Sequence, residues 1–167
     1  MTQSATSDEA KDLLEYLTQQ REHVLGALEN LPEEAMRRSV LPTGWTCAGL
    51  VQHLALDVER FWFRQVMAGE QIKPDEFGDD GWQVRPEVPT AAVLDLYRRE
   101  IARADKIITA TSLEAPPAWW PDHFGPSFHL DNLRQVLLHV ITETACHTGH
   151  LDAARELIDG QTWLILT

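Results

Sequence analysis

The constraint that most limits this chain is the spacing of its apolar residues, which repeats every three to four positions through four long stretches. Leu13, Leu14, Leu17, Val24, Leu25 and Leu28 recur at helical spacing in the first, from about residue 7 to 31, where Pro32 marks the end. Thr6 followed three residues later by Glu9 reads as a capping box at its start. The turn "LPTGWT" leads into the second, with Thr46 as N-cap and Leu50, Leu54, Val58, Phe61 and Trp62 on its apolar face up to about Ala68. Thr90 is the expected cap of the third, which carries Val93, Leu94, Tyr97, Ile101, Ala104 and Ile108. Arg98, Arg99, Glu100, Arg103 and Asp105 then read as its solvated face. The fourth runs from about Leu130 to Ile158 on Leu133, Val136, Leu137, Val140, Leu151, Ala154 and Leu157, and the apolar tail "QTWLILT" is expected to fold back. No stretch alternates with period two for long enough to make a sheet. The pattern predicts an all-α, antiparallel four-helix bundle, folded as a single domain over residues 1–167 and joined by long crossover loops.

Two connections, residues 69–89 and 113–129, are long for so small a bundle. They carry Phe77 and Trp82, and Trp119, Trp120, Phe124 and Phe128, residues that a solvated linker lacks. Aromatic loops of this kind build pockets or lids. The formal charge of −12 excludes a general phosphate-backbone binder and an electrostatic membrane anchor, because no basic stripe exists. No apolar run is long enough to span a bilayer. Two cysteines, Cys47 and Cys146, cannot build a disulfide framework or a thiolate zinc site. With no basic region followed by an apolar leader, the expectation is a reduced, cytoplasmic protein that binds neither nucleic acid nor membrane, as monomer or homodimer.

Chemistry concentrates in "HVITETACHTGH", residues 139–150. Glu143 and His147 are four apart and project from adjacent turns of one helix face. Val136, Glu143 and His150 each follow the last within about 20° around the axis, so the stripe is shared with core positions. A carboxylate turned into a bundle is costly unless it is paired or bound to a metal. A divalent cation takes imidazole nitrogen and carboxylate oxygen together, and His53, at the edge of the apolar face of the second helix, is the candidate third ligand. Two histidines and a carboxylate leave a coordination position open, which distinguishes catalytic from structural sites. Each part has a plainer reading: Glu143 and His147 as a surface pair, and His53 as a satisfied core-edge histidine. His150 is open between orienting partner, further ligand or substrate contact, and polar end of the stripe. His139 lies further from the stripe centre and ranks below the others. Asp57, one turn after His53, either orients it or pairs with Arg60.

"GWTCAGLVQHLALDVERFW" and "LRQVLLHVITETACHTGHLDAARELIDG" together resemble the DinB superfamily, and more narrowly the branch that includes mycothiol-dependent maleylpyruvate isomerase and related thiol S-transferases. The resemblance covers all four helices. It implies a metal held by His53, Glu143 and His147, the glutamate standing where many DinB-like proteins carry histidine. It also implies a small thiol such as mycothiol as cosubstrate. The expected activity is a metal-dependent transferase or isomerase that activates the thiol for attack on a small electrophile. The metal is expected to be zinc, with nickel, iron or manganese open. Trp45, Trp82 and Trp120 are the candidates for holding the cosubstrates, and His150 for handling the proton. The rival expectation is a bundle that binds a small molecule without turnover, its metal structural or vestigial.

Overall fold

The computed structural model describes residues 8–73, 77–78 and 80–163; Thr6 of the expected capping box, and residues 164–167 of the tail, lie outside them. Helix α1 spans Asp8–Ala27 and α2 is a single turn, Glu33–Met36. Helix α3, Cys47–His53, continues without a break into a π-helical segment, Leu54–Met67. Helix α4 spans Thr90–Ala110, a 3₁₀ turn covers Asp122–Phe124, and α5 spans Leu133–Asp159. The described residues form an all-helical bundle, as the periodicity predicts.

Local chemistry sets most of the ends. Thr46 caps α3 by accepting a hydrogen bond from the Gly49 amide at 3.0 Å. Asn132 does the same for α5 from the Gln135 amide at 3.1 Å, and Gly160 closes α5 in the left-handed region at φ 76°. Thr90 does not cap α4 as expected. It is the first helical residue, and the Glu33 carboxylate from α2 accepts from both its amide, at 3.0 Å, and its hydroxyl, at 2.5 Å. These two bonds and the Arg37 guanidinium hold the Glu33 carboxyl below its ordinary value of 4.5.

Directions follow from cross-helix contacts. Glu9 pairs with Arg134 near the start of α5, and Arg155 donates to the Ala27 and Glu29 carbonyls at the other end, so α1 and α5 run side by side in the same sense. His53 meets His147 while Trp62 meets His139, so α5 runs against α3 and the π segment. The connection after Met67 returns to Gly49 and Gln52 before α4 begins, which is why it is long. The tail folds back as expected as far as it is described, the Trp163 ring lying over Gly26, where any Cβ would collide with it.

The core is mainly apolar, and two charge clusters are matched within it. Arg21 of α1 donates to both oxygens of Glu59 at 2.6 and 2.7 Å, and to Asp105 of α4 at 2.8 Å. Burial opposes its charge, but the Glu59 and Asp105 carboxylates outweigh that and hold its pKa above the usual arginine range. Glu100, read from the sequence as solvated, is fully buried and bonded to Arg60, Arg64 and Arg103 at 3.2, 3.0 and 3.0 Å. The face carrying Arg98, Arg99 and Arg103 looks exposed in sequence, yet Arg103, together with Arg60 and Arg64 from the π segment, supplies the counter-charge for a buried carboxylate.

Two outcomes follow. Glu59→Ala removes the bidentate partner of the buried Arg21 guanidinium, leaving it Asp105 alone, and is expected to lower unfolding stability by roughly 3–5 kcal/mol; Arg21→Met with Glu59→Leu should recover much of that in denaturant titrations. Because the folded Glu33 pKa is lowered, its contribution is present above the ordinary carboxylate value and lost as pH falls through the folded one. Glu33→Gln should therefore melt earlier than wild type at neutral pH, with the difference shrinking as pH drops below about 4.

Candidate metal centre

His53 is the last residue of α3, and Glu143 and His147 occupy adjacent turns of the antiparallel α5. Each offers one donor atom, and the three lie within 4.8 Å of one another. Glu143 Oε1 is 3.2 Å from His147 Nε2 and 3.8 Å from His53 Nε2. The two imidazoles meet edge to face with centroids 5.0 Å apart. A tetrahedral cation with ligand bonds of about 2.0–2.1 Å holds its donors roughly 3.3 Å apart, so the cluster has close to the required size.

The strongest fit is at His53. Its Nδ1 lies 2.8 Å from Asp57 Oδ2, one turn along the same helix. A carboxylate there accepts the Nδ1 proton, which leaves Nε2 as the lone-pair nitrogen. That Nε2 is buried and has no hydrogen-bond partner within the protein. It faces the other two donors, as a ligand nitrogen must. Of the two readings of Asp57, the structure favours the orienting one; Arg60 turns to Glu100.

Burial is the main cause that holds the His147 pKa below its ordinary value; His53 adds to it and Glu143 partly offsets it. His147 therefore carries a neutral, ligand-competent ring at neutral pH. His150 Nδ1 lies 3.5 Å from His147 Nδ1, and its exposed ring also approaches Trp45, at 6.2 Å between centroids. His139 belongs elsewhere: it packs against Trp62 at 4.7 Å and Phe128 at 5.7 Å, and burial lowers its pKa despite nearby Glu143.

The tryptophans divide in the same way. Trp82 stacks on the His53 ring at 4.2 Å and 18°, and also meets His147. Trp45 and Trp82 line one open groove with Thr43, Gly44 and Gln83, none of them charged. Trp120 instead joins Trp62, Phe124 and Phe128 in an aromatic layer over the π segment, with His129 against it. Cys146 is exposed, whereas Cys47 is buried and its thiol is pushed up to about 11 by that burial. Neither thiol is among the clustered donors.

Gln52 and Gly81 escape a sequence reading. Gln52 is fully buried and donates to the carbonyls of Asp80 and Gln83, which tethers the Trp82 turn beside His53. Its adjacency to His53 in "VQHL" was the only available signal.

A sequence-family model described as Mycothiol-S-transferase matches residues 12–160, nearly the whole chain and all three clustered donors. Comparison with curated proteins finds no significant match.

Purified protein is expected to carry about one divalent cation per chain by elemental analysis. His53→Ala and His147→Ala should each lose most of it, and Cys146→Ser should keep it. Full retention in both histidine variants would rule the centre out.

Proposed function

Since the chain belongs to the mycothiol S-transferase family, within the DinB-like superfamily, we propose that it transfers a small thiol of the mycothiol type to an electrophilic cosubstrate at a divalent metal held by His53, Glu143 and His147. The observation that carries this reading is the buried, unpartnered Nε2 of His53, turned towards a carboxylate and a second imidazole. A zinc-type cation in such a site supplies a Lewis acid that lowers the pKa of a coordinating thiol, so that the nucleophile exists at neutral pH.

The chain's own residues do the rest. Asp57 fixes the His53 tautomer, and Glu143 brings negative charge to balance the cation. His150, exposed and next to His147, accepts the thiol proton and returns it to solvent or to the leaving group. The sulfur–carbon bond forms as the leaving group departs with its electron pair. Trp45 and Trp82 flank the groove in which the cosubstrates lie, and Trp120 bounds the more distant aromatic layer. Stacking on these rings orients a ligand without adding charge. The fold has no helix long and apolar enough to cross a membrane among the described residues, in keeping with a small-molecule activity in solution.

The reading is tested with the purified protein, mycothiol and a panel of electrophiles, following conjugate by mass spectrometry. Conjugation should require the metal, and a chelator or His53→Ala should reduce it by about 100-fold or more. His150→Ala should lower turnover by roughly 10²-fold while leaving metal content unchanged. Ligand-induced shifts in melting temperature without conjugate would replace transfer by the rival reading, a binding protein.

A further inference from the structure

We propose that Gln52 and Gly81 are positioning residues for His53, acting through the turn Asp80–Gln83 that lies across it. The proposal rests on the metal reading above and concerns how its buried ligand is held.

Two contacts hold one imidazole, and a third backs one of them. Trp82 covers its face, stacked at 4.2 Å and 18°. Asp57 holds its edge through Nδ1 at 2.8 Å. Gly81, between these two influences, backs the Asp57 carboxylate so closely that a Cβ on it would stand 1.9 Å from Oδ2. The turn thus fixes the ring plane directly through Trp82 and limits the rotation of Asp57 through Gly81. No unusual backbone angle accounts for the glycine; the space taken by Asp57 does.

The turn is itself anchored from the helix. Gln52 Nε2 donates to the Asp80 carbonyl at 2.9 Å and the Gln83 carbonyl at 3.1 Å, spanning the turn from both ends. The Trp82 amide donates to Asp80 Oδ1 at 2.9 Å. Gly49, one turn before His53, lets the Trp82 carbonyl approach so near that a Cβ there would lie 2.4 Å from it. An amide side chain is the only type that can reach two carbonyls from a buried position without bringing a charge. Ligand orientation of this kind affects metal affinity by about 10–100-fold when an orienting partner is lost.

The two variants separate positioning from stability. Gln52→Met keeps the packing volume and removes both donors. Gly81→Ala adds one methyl against the end of a short, half-exposed side chain, so its cheapest relief is rotation of Asp57 off His53. Both should raise the zinc dissociation constant, measured by chelator competition, by about 10-fold or more. In an Asp57→Ala background, Gly81→Ala should cause no further loss, a coupling that a general loss of stability does not produce. In metal-free protein, the near-ultraviolet circular dichroism band that Trp82→Phe removes should also weaken in Gln52→Met. Zinc affinity within two-fold of wild type in both single variants, or a full Trp82 band in Gln52→Met, overturns the proposal. A wild type that takes up no zinc overturns the metal reading instead, and the circular dichroism comparison still decides whether Gln52 holds the turn.

Discussion

One guanidinium holds the arrangement together. Arg21 enters the core from α1 and bonds to carboxylates on the π segment and on α4, so three of the four long helices meet at a single charge. Burying that charge is expensive, and only near-ideal geometry offsets the desolvation. The bidentate bond to Glu59 supplies the geometry, and Asp105 satisfies the remaining face. The consequence is positional. With the π segment fixed in rotation against α1, and α1 packed along α5, the first turn before that segment presents His53 to α5 at the height of Glu143 and His147. A rotation of the second helix by one residue would carry His53 about 100° away from its partners.

The same core shows how the molecule treats charges that serve only structure. Glu59 and Glu100 are buried and fully matched by arginines. The Glu143, His53 and His147 cluster is different, because its close contacts leave the His53 Nε2 without a partner. Among the described residues, Tyr97 Oη and Gln52 Oε1 are also buried without a hydrogen-bond partner. What singles out His53 is its company: two further ligand-type atoms on the same side, and a carboxylate at its far nitrogen that makes the orphan a lone pair. Neither Tyr97 nor Gln52 belongs to that cluster of donors.

The helices and the three donors were legible because both depend on periodicity, which a sequence states openly. Glu143 and His147 fall on core-sharing positions of α5, and His53 on the edge of the α3 apolar face, whatever the rest of the chain does. Three features were hidden for a common reason. Glu100 looked solvated because its neighbours Arg99 and Arg103 are charged, and its burial draws also on the distant Arg60 and Arg64. Thr90 looked like a cap because threonine often caps, yet Glu33, fifty-seven residues away, takes that role. Gly81 looked like any glycine in a loop, and its meaning lies in the position of Asp57. Each depends on a contact between residues far apart in the chain. The π-helical course of Leu54–Met67 was hidden differently, since its apolar residues fit an α-helical wheel well enough to conceal it.

Exposure within the cluster gives the site a direction. The His53 and His147 side chains are only 13% and 11% exposed, while that of Glu143 is 38% exposed. The imidazoles are therefore sunk against the bundle and the carboxylate stands at the rim. In a centre built on these three residues, ligand exchange would take place on the carboxylate side, where the side chain is more exposed and where His150 is also exposed. The groove between Trp45 and Trp82 is lined by uncharged residues in a protein that is strongly acidic overall, so an anionic ligand would meet less repulsion there than on the general surface. In such a centre the imidazoles would hold a cation from within, and the rim residues would face what approaches it. On the proposed metal reading, affinity would rest on His53 and its supports, and selectivity on the tryptophans and His150.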